Sequence, residues 1–260
     1  MKACPHLFAG FCLALASLPL GMPDITRAEE HSTTPASRQT VQTLPEKVAE
    51  KTDNLNDQFW LYLPKRYHEA EDVKLPLIIY LHGSSRRGRD VEQVKANGIP
   101  PLLDGMEDFD FIVASPQALA NYRWQECWQP DDLILLLDHL LANYRIDPAR
   151  VYLTGLSMGG YGTWACLSKH ADRFAAAIPI CGGGDPAWAP AMKGLPIWAF
   201  HGEDDYVVPI ARSEEMVEAV KEAGGKVKFT RYPDTGHDSF TQTYANPEIF
   251  RWLLQQSREK

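Results

Sequence analysis

Hydrophobic and polar positions change period along this chain in a way that marks out its elements. Leu75-Pro76-Leu77-Ile78-Ile79-Tyr80-Leu81 is a continuous apolar run, as in a strand covered on both faces. Arg150-Val151-Tyr152-Leu153-Thr154 and Leu195-Pro196-Ile197-Trp198-Ala199-Phe200-His201 read as further buried strands. Lys226-Val227-Lys228-Phe229-Thr230-Arg231-Tyr232 alternates polar and apolar, which fits a half-buried strand. Three more strands are predicted near residues 59–63, 111–114 and 175–180. Helices are predicted over 131–144, 210–223 and 247–256, the second stopped by Gly224-Gly225. Strands alternating with helices predict an α/β fold: a mostly parallel, doubly wound sheet flanked by helices. Residues 182–196 are too few to hold a large helical cap domain, so an open site is expected.

The polar segments set the domain limits. Lys2, an apolar stretch over residues 7–20 and the small-x-small triplet Thr26-Arg27-Ala28 predict a signal peptide over 1–28. Residues 29–52 are rich in Thr, Ser and Gln with no apolar period, and predict a disordered tether. One catalytic domain is then expected over 53–260 in a secreted or periplasmic protein. The 260 residues, 45% of them hydrophobic, suffice for one substantial core. A net charge of −8 argues against general nucleic-acid binding, which needs a basic surface. Beyond the leader no apolar run approaches the roughly 18 residues of a membrane span.

The candidate chemistry begins at Thr154-Gly155-Leu156-Ser157-Met158-Gly159-Gly160, between a predicted strand and an apolar helix. A serine in G-x-S-x-G at such a turn is the nucleophile-elbow pattern. A Cβ at Gly155 or Gly159 is expected to crowd the neighbouring strand or helix. A serine hydroxyl needs a base, and the base an orienting acid. Gly202-Glu203-Asp204-Asp205-Tyr206-Val207-Val208-Pro209 follows a predicted strand and offers three carboxylates, Glu203, Asp204 and Asp205. Pro233-Asp234-Thr235-Gly236-His237-Asp238 follows the next strand and presents a histidine. Of eight histidines, His237 alone follows both the serine and the acid in a strand-end loop. His82 and His201 each precede a glycine at a strand end and read as backbone-binding residues.

Leu81-His82-Gly83-Ser84, the elbow, His201-Gly202-Glu203-Asp204-Asp205-Tyr206-Val207-Val208-Pro209 and Gly236-His237 together resemble the α/β-hydrolase superfamily. Within it the chain is similar to compact dienelactone-hydrolase, carboxylesterase and polyhydroxybutyrate-depolymerase-like esterases, from about residue 57 to the C-terminus. The resemblance to H-G-x-x-D-x-x-V-P implies that the acid is Asp205. It implies a triad of Ser157, Asp205 and His237 in a serine ester hydrolase working through an acyl-enzyme. It also implies an oxyanion hole built from the backbone N–H groups of Ser84 and Met158. A serine peptidase of prolyl-oligopeptidase type, a polymer esterase acting on polyester or on feruloyl- or acetyl-polysaccharide, and a non-catalytic scaffold remain alternatives. The arginine-rich turn Ser84-Ser85-Arg86-Arg87-Gly88-Arg89-Asp90 departs from the usual pattern and leaves substrate preference open.

No C-x-x-C, H-E-x-x-H or EF-hand spacing occurs, so no metal is expected, and no dinucleotide motif implies a cofactor. The expected partner is an ester substrate, small or polymer-linked. Trp124 and Trp128, after the strand ending near Ser115, offer flat faces for binding it, with Arg86, Arg87 and Arg89 across the entrance. Export would permit a Cys127–Cys181 disulfide, while Cys166 reads as an apolar filler. The oligomeric state is left open.

Overall fold

The computed structural model describes residues 38–258. The predicted signal peptide and residues 29–37 of the predicted tether lie outside them. The chain runs β1 (Gln39–Thr43), α1 (Glu46–Ala49), β2 (Leu55–Tyr62), α2 (Lys65–Glu69), β3 (Leu75–Leu81), α3 (Ile99–Gly105), β4 (Ile112–Ala118) and α4 (Pro130–Asn143). It continues β5 (Ile146–Leu156), α5 (Met158–His170), β6 (Ala176–Ile180), β7 (Ile197–Gly202), α6 (Ala211–Glu222), β8 (Val227–Tyr232), α7 (Ser239–Ala245) and α8 (Pro247–Leu254). The eight strands form one sheet in the order β1-β2-β4-β3-β5-β6-β7-β8. β1–β2 and β2–β4 are antiparallel and every other pair is parallel. The expected doubly wound α/β architecture is therefore present, and the fold is that of an α/β hydrolase.

Side-chain alternation along the central strands divides the core into two layers. Leu77, Ile79 and Leu81 of β3 pack with Leu133, Leu137, Trp164, Leu167, Met216 and Val220, from α4, α5 and α6. Ile78 and Tyr80 point the other way, to Ile99, Leu103, Tyr244, Phe250 and Leu253 of α3, α7 and α8. All seven residues of β3 and all seven of β4 are buried, which accounts for the unbroken apolar reading of β3.

One domain boundary is corrected. Residues 38–52, read as part of a tether, are ordered: β1 pairs with β2 from Gln39↔Tyr62 to Thr43↔Gln58, and α1 follows. An edge strand is held by backbone hydrogen bonds and needs few apolar side chains. Gln39, though polar, is itself buried, its Nε2 donating to the Pro100 carbonyl at 2.8 Å. Between β6 and β7 the chain forms a short 3₁₀ segment, Pro186–Met192, in place of a cap domain.

Candidate active site

Parallel strands send their carboxyl ends to one edge of the sheet, and the candidate residues follow β3, β5, β6, β7 and β8 there. At the end of β5 the chain turns into α5 so sharply that Ser157 takes φ 54° and ψ −117°. Such a conformation strains any residue carrying a Cβ and persists only where surroundings enforce it. Ser157 N–H donates to the Ile180 carbonyl at 2.9 Å and faces Cys181 Sγ at 3.3 Å. A Cβ on Gly159 would meet the Leu81 carbonyl, and one on Gly155 the Gly159 carbonyl. The elbow therefore packs backbone to backbone against β3, as its glycines imply.

Ser157, His237 and Asp205 are brought into one hydrogen-bonded line. Ser157 Oγ lies 2.9 Å from His237 Nε2, and His237 Nδ1 lies 2.7 Å from Asp205 Oδ2. A carboxylate only accepts, so Nδ1 carries the proton and Nε2 is left to accept from the serine hydroxyl. Asp205 Oδ1 accepts from the N–H groups of Val207 and Val208, each at 2.9 Å. Burial pushes the Asp205 carboxyl up, but hydrogen bonds from His201, His237 and Val208 N–H outweigh it. They hold the group well below the usual carboxylate range. Asp204 and Glu203 are exposed and turned away, tied to the histidine side only through their backbone N–H groups, to Thr235 O and Tyr232 O at 2.9 Å.

The candidate oxyanion donors stand beside the nucleophile. Met158 opens α5 and Ser84 opens a 3₁₀ turn, Ser84–Arg86, so each has an N–H without an intrahelical partner. A Cβ on Gly83 would sit 3.7 Å from Ser157 Cβ, which places this turn against the elbow. His82 fixes its orientation. His82 Nε2 accepts from Ala118 N–H at 3.0 Å, so Nδ1 is the protonated nitrogen and donates to the Gly83 carbonyl at 2.7 Å. In a trans peptide the C=O and the following N–H point in opposite directions, so holding Gly83 O aims Ser84 N–H the other way. Burial lowers His82 to about 4, which keeps it neutral in this role.

One expectation about a neighbouring residue is overturned, and one open question is answered. Trp128 is 2% exposed: its Nε1 donates to His82 O at 3.1 Å, its ring meets His82 edge-on, and Gly162 of α5 leaves space for it. It is a core residue beneath the oxyanion turn and has no face free for substrate. Cys127 and Cys181 are free and buried rather than bridged. Cys127 Sγ contacts Tyr122 O and Arg87, whereas Cys181 lies under Ser157 N–H. Burial pushes the Cys181 thiol up to about 12, so it is no competing nucleophile. Cys181 Sγ, an Asp205 oxygen and a His237 nitrogen lie within 4.8 Å of one another, but the last two are engaged with each other.

Trp124 is half-buried and stacks edge-on against Tyr161 at 5.2 Å. Tyr161, one helical turn after Ser157, donates its N–H to Ser157 O, and its ring lies beside Gly183. Its place at i+4 from the serine was the sequence signal for a residue on this wall. Arg87 does not face the entrance freely, since its Nε returns to Ser84 O at 3.0 Å. A cavity of about 550 Å³ is lined by residues such as Phe174, Leu195 and Lys226 that precede β6, β7 and β8. It therefore opens at the amino edge, away from the triad.

The sequence model of the dienelactone hydrolase family matches residues 115–251, more than half the chain and inclusive of all three triad positions. The chain belongs to the dienelactone hydrolase family. Within reach of this family member is poly(3-hydroxyalkanoate) depolymerase C of Paucimonas lemoignei, 28% identical over 203 residues, 61% of this chain and 47% of the depolymerase. The bifunctional acetylxylan esterase/xylanase XynS20E of Neocallimastix patriciarum is 29% identical over 136 residues, 51% of this chain and 20% of that protein. The chain thus spans less than half the length of these two relatives. A crystal structure of a thermostable esterase matches with a TM-score of 0.71 at 34% identity, over 85% of this chain and 64% of that one.

Proposed function

We propose that this dienelactone-hydrolase-family protein is an exported serine carboxylic-ester hydrolase. The observation that carries the reading is the unbroken line Ser157 Oγ–His237–Asp205, with His237 Nε2 free to accept a proton. Ser157 Oγ attacks the ester carbonyl carbon while its proton passes to His237 Nε2. The tetrahedral oxyanion is met by Met158 and Ser84 N–H, donors of a kind worth about 3 kcal/mol each. Collapse breaks the bond to the alcohol, which leaves with the proton from His237. Water, deprotonated by His237, then attacks the acyl-serine, and a second collapse frees the carboxylic acid and restores Ser157.

A bulky or polymer-linked ester is the substrate class favoured. Among the described residues the short Pro186–Met192 segment stands where a cap domain would be inserted, and the relatives named above are a depolymerase and an acetylxylan esterase. Export rests on the leader over residues 1–28; among the described residues no helix is long and apolar enough to cross a membrane. The test is turnover of matched p-nitrophenyl esters and p-nitroanilides, with feruloyl and acetylated-sugar esters alongside. Ester turnover lost in Ser157→Ala, together with fluorophosphonate labelling of the wild type alone, is the expected outcome. Activity retained in purified Ser157→Ala protein would sink the mechanism, and faster anilide turnover would turn the reading to a peptidase.

A further inference from the structure

Asp205 is held by a second histidine. His201, fully buried at the end of β7, places Nε2 3.1 Å from Asp205 Oδ2 and 2.9 Å from Val208 O. Both partners only accept, so Nε2 carries a proton. On the other side of the ring, Nδ1 lies 2.7 Å from Ser213 Oγ, and Ser213 Oγ lies 2.8 Å from the Gly182 carbonyl. The serine has one proton to give. Given to Nδ1, it would leave two oxygen lone-pair groups, Ser213 Oγ and Gly182 O, facing each other at 2.8 Å inside the core. Given to Gly182 O, it leaves Ser213 Oγ as acceptor, and Nδ1 must then be a donor as well. Only the second arrangement places a proton in each contact, the single Nε2–H being shared between Asp205 Oδ2 and Val208 O.

We infer that His201 is a buried imidazolium, and that it positions and partly neutralises Asp205 against His237. The inference rests on the triad reading above. Asp205 Oδ2 then receives an N–H from each of two rings, and the charge it offers His237 is shared with a resident cation.

The charged and titratable surroundings of His201 fit this assignment. Asp205 and His237 face it from the two loops. Cys181, at the end of β6, is a neutral thiol. From α6 come Ser213 and its neighbour Arg212, and Arg231, the register partner of His201 on β8, is paired with Glu214 of α6. Asp205 is thus the carboxylate that hydrogen-bonds the ring directly.

The test has two arms. In His201→Gln the amide Nε2 can still reach Asp205 and Val208, but the charge is gone. The acid limb of the kcat/KM profile should move up by about one pH unit, the usual size for loss of one adjacent charge. Ser213→Ala removes the acceptor for Nδ1–H and should move the limb in the same direction. The double variant should add nothing further. A limb that stays in place while activity falls would leave His201 as packing and overturn the proposal.

The second arm does not need turnover, and it stands if His201→Gln fails to fold. In ¹⁵N-histidine-labelled Ser157→Ala protein at pH 8, His201, assigned by its change in Ser213→Ala, should show two protonated ring nitrogens. One unprotonated nitrogen on that ring would refute the imidazolium. Loss of the triad reading would instead appear as activity surviving in Ser157→Ala, whatever His201 shows.

Discussion

Replacing Asp205 by Asn changes one atom and reverses a hydrogen-bond pattern. Every contact at this carboxylate is with a donor: Val207 and Val208 N–H on Oδ1, His237 Nδ1 and His201 Nε2 on Oδ2. An amide NH₂ in either place turns two of these into donor-to-donor contacts. Set opposite the histidines, it drives His237 to its other tautomer, whose Nε2–H cannot accept the Ser157 proton. That failure costs about 10⁴ in kcat in the reference serine protease triad. Set opposite Val207 and Val208, it strands two backbone N–H groups in a buried site, at about 1–3 kcal/mol each. Asp205→Asn should therefore lose three to four orders of magnitude in kcat and about 2–5 kcal/mol in stability. Asp204→Asn, at an exposed side chain, should change neither by much. Acid stability supplies a second reading. The Asp205 carboxyl titrates lower in the folded protein than in the unfolded chain, so its contribution is complete above about pH 4 and fades as pH falls further. The variant should lack that acid-dependent component. Steady-state ester kinetics and urea melts between pH 3 and 7 measure both, and equal or reversed effects at 204 and 205 would refute the assignment of the acid.

Other outcomes follow from the same geometry. Ser157→Gly and Ser157→Ala should both be inactive, but the glycine variant should melt about 2–4 °C higher, because only it relaxes the positive φ at the elbow; equal or inverted midpoints in calorimetry would deny the strain. Trp128→Ala should cost about 3–5 kcal/mol and abolish activity on every substrate, as removal of a core ring does. Trp124→Ala should spare stability and raise KM for aromatic esters roughly three- to tenfold, with little change in kcat for p-nitrophenyl acetate. A KM unchanged across an aryl and alkyl ester panel would leave Trp124 as packing against Tyr161 only.

What could be read from the sequence divides along physical lines. β3, β5 and β7 were legible because burial on both faces demands unbroken apolar runs. Ser157, Asp205 and His237 could be picked out because each follows one of the strands and chemistry gathers at strand ends. β1 was not legible: Gln39-Thr40-Val41-Gln42-Thr43 has one aliphatic residue, and its stability comes from backbone pairing with β2. Trp128 reads as a loop residue, and its burial depends on a space left by Gly162, 34 positions away. His201 reads in the sequence as a backbone-binding histidine, which its contact with Val208 O bears out. Its hold on Asp205 depends on how the loop folds back and could not be seen in spacing alone.

The three residues of the proposed triad hang from parts of the sheet that differ in resistance to opening. Ser157 is rooted between β5 and β6, in the interior of the sheet, while His237 follows β8, which among the described residues is an edge strand paired with β7 alone and buried at none of its six positions. Fraying of that edge requires far less free energy than unfolding the core. Heat or denaturant should then silence the protein reversibly at a stage when most amides of β3 and β5 still resist hydrogen exchange. A phosphonyl group on Ser157 that engages His237 would stitch the edge to the interior, and slow exchange along β8 would report it.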